Sequence, residues 1–301
     1  MHLASLPLLM LLACLALGTQ AGEVLVVSSE RSAAYQEAAD AVVAELARRE
    51  VLQLPLAELP AYRGPGPRLY VALGTEACSQ LGREPMSAPV LCTLLPRASF
   101  ERVLRETGRR AGAAFSALYL NQPPGRQLDL IRLALPQVRR IGVLWGPDSA
   151  LNEAALEAAA QARGLRVVGV SVRPEEPVFA GLKKILEESD VLLALADPQI
   201  YNSNSIQNIL LTSFRAQIPM LAFSPAYVRA GALMAVHSTP RQIGQQAGVL
   251  ARGVLQGQPL GQPQFPLQFD VSVNDHVARS LGLRLDAAHL AERLRRLERG
   301  S

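Results

Sequence analysis

The 301-residue chain is poor in the residues that usually betray chemistry. Its three cysteines, at 14, 78 and 92, form no CxxC pair, which excludes a dithiol redox motif or a zinc knuckle. Its four histidines, at 2, 237, 276 and 289, lack metal-ligand spacing, so no metal and no cofactor is expected. There is no GxSxG elbow, no GxxxxGK phosphate loop, no GxGxxG after a strand and no HExxH. Lysine occurs only at 183 and 184, and the arginines that carry the net charge of +4 are scattered. That pattern offers no basic stripe to a nucleic acid. The one cluster, "ERLRRLERG" near the end, reads as the solvated face of a terminal helix, with an anionic surface as the alternative.

Charge is also missing from the first 21 residues, where "LASLPLLMLLACLALG" runs apolar for 16 positions. That is shorter than the ~20 residues a membrane span needs. Followed by Thr19-Gln20-Ala21, it reads as a secretory signal peptide cleaved after Ala21, leaving Gly22 as the mature start. The rival reading takes "LLAC" as a lipoprotein box with Cys14 lipidated, although the residues after Cys14 stay apolar where a polar tether is expected. No later segment is long and clean enough to span a bilayer, so the expected location is periplasmic. Export changes the reading of Cys78 and Cys92. In an oxidising compartment they could form a disulfide, and two buried thiols are the alternative.

What is present is rhythm. Hydrophobic residues make up 49% of the chain, and short β-rich runs alternate with helical ones from residue 23 onward. "EVLVVSS", "RLYVALG", "APVLCTLL" and "AGAAFSALYL" read as strands, followed by "RRIGVLWG", "LRVVGVSV", "DVLLALAD", "IPMLAFS", "ALMAVHS" and "QFPLQFDVSVN". Near-continuous apolar strands between amphipathic helices indicate an α/β fold with doubly wound parallel sheets covered on both faces. About ten strands are too many for one sheet of this size, so two lobes are expected, breaking at the Pro-rich "YLNQPPG" (119–125).

In open α/β sheets, ligands bind beyond the carboxyl ends of the strands. Collecting those positions yields Ser28, Ser29, Gly74, Thr75 and Arg97 in the first lobe, and Tyr119 and Asn121 at the crossover. The second lobe contributes Trp145, Asp197, Tyr201, Ser224, Tyr227 and His237. Hydroxyls, amides and aromatic rings are what holds a small polar solute. Each has a structural alternative. Asp197 also suits a helix cap, Trp145 the core, and His237 a satisfied strand end. Ser28 and Ser29 precede a helix start, where an anion or plain capping fits equally. An exported hydrolase assembled from Ser224, His237 and Asp197 is a third-ranked alternative.

Three segments carry a resemblance: "LDLIRLALPQVRRIGVLWGPDS", "DVLLALADPQIYNSNSIQNILLTSFRAQIPMLAFSPAYVRAGALMAV" and "IGQQAGVLARGVLQGQP…VNDHVARSLGL". In order and spacing they resemble the ABC-transporter substrate-binding family that includes tryptophan- and tyrosine-import binding proteins. The resemblance implies a type I periplasmic-binding fold, with two lobes, a three-crossover hinge and closure on a small-molecule ligand. It implies lobe one from 22–120 plus 239–263, and lobe two from 121–238 plus 264–301. The helix 240–257 should then return to lobe one and the strand 264–274 join lobe two. The expected partners are an inner-membrane permease and an ATPase, with the binding protein a monomer that contacts no nucleic acid. The runner-up is an envelope sensor or accessory binding subunit that delivers nothing. The chain departs from the family after "PVLCTLL", where many members have Asp-Pro and this one has "LLPRASF", so that Arg97 stands where an acidic contact is implied.

Overall fold

The structure is a computed structural model that describes residues 23–46 and 51–300. The signal peptide, its cleavage after Ala21 and the Cys14 alternative lie outside the described residues.

Among the described residues the strands form two sheets. The first has the order β2-β1-β3-β4-β5 and is parallel throughout. It contains β1 (Val24–Ser28), β2 (Val51–Pro55), β3 (Leu69–Leu73), β4 (Val90–Leu95) and β5 (Phe115–Tyr119). Residues 69–73 and 115–119 are buried at every position, as expected of strands covered on both faces. The edge strand β2 was not visible in the sequence. It is short, only half-buried and closed by Pro55, so neither an apolar run nor a clean alternation marks it.

Helices α1 (Ala33–Glu45), α2 (Thr75–Arg83) and α3 (Arg97–Thr107) connect these strands. Ser32 caps α1, its side chain accepting from the Tyr35 N–H. A later helix, α9 (Pro240–Leu255), packs on the same sheet. It starts with a capping box, in which the Thr239 side chain accepts from the Gln242 N–H and the Gln242 side chain accepts from the Thr239 N–H. It meets α1 through small residues. A Cβ on Gly244 would stand 2.2 Å from the Ala38 carbonyl oxygen, so only glycine permits that approach.

Cys78 on α2 and Cys92 on β4 form a disulfide, S–S 2.02 Å, and both residues are fully buried. It closes a loop with a sequence separation of 14. Such a loop stabilises by about 3 kcal/mol through restriction of the unfolded chain. Replacing both cysteines by alanine in a protein starting at Gly22 is expected to lower urea stability by about 2–4 kcal/mol. Mass spectrometry of the denatured wild-type protein should detect no free thiol at either position. Alkylation of both without prior reduction would contradict the bridge.

The second sheet has the order β11-β10-β9-β8-β6-β7. Its strands are β6 (Arg140–Trp145), β7 (Arg166–Ser171), β8 (Val191–Leu193), β9 (Met220–Ala222), β10 (Met234–His237) and β11 (Asp270–Val273). All pair in parallel except β11, which runs antiparallel to β10 at the edge. Helices α4 (Pro124–Ala134), α5 (Glu153–Gln161), α6 (Val178–Glu188), α7 (Ile206–Arg215), α8 (Pro225–Ala230), α10 (Asp275–Ser280) and α11 (Ala287–Arg299) cover it.

The run 264–274, expected as one strand in lobe two, is divided. The Gln264 N–H donates to the Ala117 carbonyl and its own carbonyl accepts from the Tyr119 N–H, both at 2.8 Å, so Gln264 sits beside β5 in the first sheet. Phe265 packs into that sheet's core. Pro266 has no N–H to continue the ladder, and the chain pairs again only from Asp270, in the other sheet.

The chain thus passes between the sheets around residues 120–123, 238–239 and 265–269. Side chains join these three segments. The Gln122 amide donates to Ser238 Oγ at 2.9 Å, and Ser238 Oγ donates to the Gln268 carbonyl at 2.6 Å. Arg126, 6% exposed, donates to Gln122 Oε1 at 2.7 Å and to the Pro266 carbonyl at 2.8 Å. From the last turn of α11, Glu298 accepts from Arg126 at 2.5 and 3.0 Å.

Candidate functional site

Next to these crossings a cleft opens between the carboxyl ends of the two sets of strands. The first lobe and crossover supply Arg97, Ala98, Phe265, Asn121 and Gln122. The second lobe supplies Pro124, Gln127, Ser149 and Asn152 on one side, and Leu195, Ala196 and Phe223 on the other. The cavity measures about 50 Å³, room for a few waters, whereas solute pockets run to several hundred. The lobes are held close here. Arg102 of α3 pairs with Asp148 of the β6–α5 loop at 3.2 Å, bridging from one lobe to the other.

Local backbone delivers Arg97 to this place. At the end of β4 the register shifts between Thr93 and Leu95, and Leu94 takes the left-handed conformation, φ 54°. A bulge of this kind bends a strand and redirects the residues beyond it. Pro96 then precedes α3, which begins without a side-chain cap. The Arg97 N–H donates to Asn121 Oδ1 at 2.6 Å, and its Nε donates to Glu101 Oε1 at 2.6 Å.

Of the residues expected to bind, Arg97 and Asn121 line the cleft. The others lie outside that lining, in the contacts that follow. Asp197, 2% exposed, turns its carboxylate onto the loop after β6. Oδ2 accepts from the Asp148 N–H (3.2 Å), the Ser149 N–H (2.9 Å) and Ser149 Oγ (2.9 Å), and Oδ1 accepts from the Gln199 N–H (3.1 Å). A Cβ on Gly146 would stand 2.4 Å from that carboxylate, so the loop closes on it only because residue 146 is glycine. Trp145 is 1% exposed in the core of the second lobe, its Nε1 buried without a partner and its ring filling the space a Cβ on Gly169 would take. Strand alternation sets it on the same face of the sheet as Ile141 and Val143, against the core, rather than beyond the strand end.

Tyr201 is buried against Phe223, and burial, with Asp197 and Tyr227 nearby, pushes its phenol far up. The Tyr227 hydroxyl donates to the Tyr201 carbonyl at 3.1 Å. Ser224 stands before α8, half-buried and without a side-chain cap bond. Tyr119 packs edge-on to Phe100 and Phe265, and burial pushes its pKa up to about 12, Arg97 pulling it down less. Ser29 Oγ donates to the Leu73 carbonyl at 2.8 Å and accepts from the Ala77 N–H at 2.9 Å, tying β1 to the start of α2. Gly74, φ +92°, and Thr75 form that same start. Ser28 borders a separate groove of about 430 Å³ with Glu30, Tyr35 and Gln53.

His237 Nε2 lies 2.9 Å from Ser272 Oγ, and burial lowers its pKa, partly offset by Asp270. The hydrolase arrangement is therefore not assembled. His237 pairs with Ser272 on β11, and Asp197 pairs with the 146–149 loop.

Strand ends do not point to Gln127, Ser149, Asn152 or Phe265. Gln127 sits in the first turns of α4, Ser149 and Asn152 just before α5, and Phe265 beside a foreign sheet. Phe223 also escaped notice in the sequence, although its place directly after β9 is a strand-end signal.

A family model described as ABC transporter substrate binding protein matches residues 62–293. A tyrosine-binding protein from Clostridioides difficile (strain R20291) is 24% identical over 163 residues, covering 52% of this chain and 47% of that protein. The chain thus spans about half the length of this curated relative. Two solved structures share the fold, each 16% identical. One is an ABC domain from Streptococcus pneumonia in complex with L-Trp, with a TM-score of 0.61 over 89% of this chain and 97% of that one. The other is a ligand-free, open substrate binding protein with adhesive properties from Clostridium difficile, with a TM-score of 0.69 over 88% and 96%. With two lobes built on largely parallel sheets, three crossings and a family model matched over most of its length, the chain belongs to the ABC transporter substrate-binding protein family and has the type I periplasmic-binding fold.

Proposed function

We propose that this protein works outside the cytoplasm, captures a small polar or aromatic solute in the cleft between its lobes by hinge closure, and presents it to an inner-membrane permease and ATPase. The observation that carries this reading is the position of the cleft. It is walled by both lobes and adjoins the three crossing segments, so a rotation there opens or closes it. A solute that contacts both walls stabilises the closed arrangement by the difference in its affinity for the two states. Thr19-Gln20-Ala21 after the apolar run supports export. No helix among the described residues is long and apolar enough to cross a membrane.

The test is a thermal-shift screen of protein starting at Gly22 against amino acids, organic acids, nucleosides, sugars and cofactor precursors. A solute present at about 100 times its Kd adds about 2.7 kcal/mol, enough for a clear rise in Tm. At least one class is expected to give that rise. Flat melting curves across the library, or turnover of an ester or glycoside by the purified protein, would sink the reading.

A further inference from the structure

The walls of the cleft carry a charge pattern that narrows the solute, given the binding role proposed above. Arg97 is the single charged residue among those lining the cavity, and no aspartate or glutamate lines it. Glu101, one helical turn on, holds Nε of Arg97 at 2.6 Å and lies outside the lining. Its pairing fixes the guanidinium and leaves the terminal N–H groups without a hydrogen-bond partner among the described residues. The carboxylate next to the lining residue Ala196, that of Asp197, is engaged by its four donors.

Three of the acceptors in the wall are engaged as well, while the amide oxygens of Gln127 and Asn152 are open to the cavity. Asn121 Oδ1 takes the Arg97 N–H, Gln122 Oε1 takes Arg126, and Ser149 Oγ lies between the Gly146 N–H and Asp197. The Gln127 side-chain amide, on a residue 5% exposed, lines the cavity and makes no hydrogen bond among the described residues. That amide is open to the cavity, where water or a polar group on a solute can bond to it. The uncapped first turn of α3, whose N–H groups favour negative charge, begins at Arg97.

We infer that the cleft selects a small organic carboxylate without an ammonium group, its acid held by Arg97 and the start of α3, and its apolar body set against Phe223, Phe265 and Leu195. An ammonium would enter beside the guanidinium and find no carboxylate in the lining to neutralise it, with only the amide oxygens of Gln127 and Asn152 open to accept from it. A carboxylate meets a planar donor fork instead. Gln127 takes a hydrogen bond from, or gives one to, a polar group on the body.

The experiment is calorimetric titration of the whole protein with two matched series. The first is 3-phenylpropionate, L-phenylalanine and 2-phenylethylamine. The second is 4-methylpentanoate, L-leucine and 3-methylbutylamine. The acid is expected to bind at least tenfold tighter than its amino acid in one series or both, and the amines not at all. Arg97→Gln is expected to weaken the acid at least tenfold, with the unliganded Tm as the control on folding. Asn121→Asp keeps the acceptor for the Arg97 N–H but adds negative charge, and is expected to weaken the acid also, so the inference stays exposed if Arg97→Gln fails to fold. An amino acid bound as tightly as its acid overturns the inference, as does an acid indifferent to both substitutions. Failure of both acids to bind overturns it too. In each of those cases the solute-binding reading stands if any compound in the thermal-shift screen raises the Tm, and it falls only if none does.

Discussion

Asp197→Ala is expected to destabilise the protein by about 2–4 kcal/mol, since it removes a buried acceptor and leaves its neutral donors unsatisfied. The carboxylate is 2% exposed and satisfies two backbone N–H groups of the 148–149 turn, the Ser149 hydroxyl and the Gln199 N–H. Alanine leaves these donors facing a small void, each with a desolvation penalty of about 1–3 kcal/mol that relaxation and entering water reduce. Asp197→Asn is expected to cost less, since one oxygen remains for Ser149, although its NH2 then opposes a donor. Urea unfolding followed by circular dichroism measures both. A loss below about 1 kcal/mol for alanine would mean that the carboxylate does not hold the two loops together. Binding should be altered only as far as Ser149 moves, because Asp197 reaches the cavity through Ser149 and not directly.

The second large effect is expected at the hinge. Arg126→Met should lower stability by about 2–4 kcal/mol, less than a fully buried pair because Glu298 is about one-third exposed. Arg126 bonds to Gln122, to the Pro266 carbonyl and to Glu298, and lies 4.3 Å over the ring of Phe269. Methionine retains contact with the ring but leaves Gln122 Oε1 and the Pro266 carbonyl without their donor. The pair also opposes both helix dipoles. Arg126 is near the start of α4 and Glu298 near the end of α11, so Glu298 left alone is unfavourable by a further ~0.3–1 kcal/mol. Glu298→Gln should be milder, as the amide oxygen still accepts from Arg126. The pair is checked by urea titration of both single variants and the double variant. Additive losses would show that the two side chains do not act as a unit.

These two sites show how far the sequence could be read. The strands that were legible, such as 69–73 and 115–119, are buried on both faces, so their apolar runs state their position directly. The half-buried edge strand β2 was not, because an edge strand needs no continuous apolar run. Strand ends likewise located the neighbourhood of the cleft, and Arg97 and Asn121 were found that way. A strand end does not say which way its side chain turns. Asp197, Trp145 and Tyr201 follow or close strands as ligand residues would, yet all three are 4% exposed or less and serve the interior. Asp197 turns inward because Gly146, distant in sequence, leaves room for its carboxylate beside a turn full of N–H groups.

By itself, then, the sequence determined the α/β class and the two-lobe count, since periodicity and burial are local properties of each segment. It also contained the two cysteines that meet across α2 and β4, without saying that they meet. Tertiary structure alone decided which side chains share the cleft. Gln127, Asn152 and Phe265 arrive there from a helix start, a turn and a segment that leaves one sheet for the other. Their meeting depends on the relative placement of two sheets whose order comes from non-local pairing, and that information resides in no single stretch of chain.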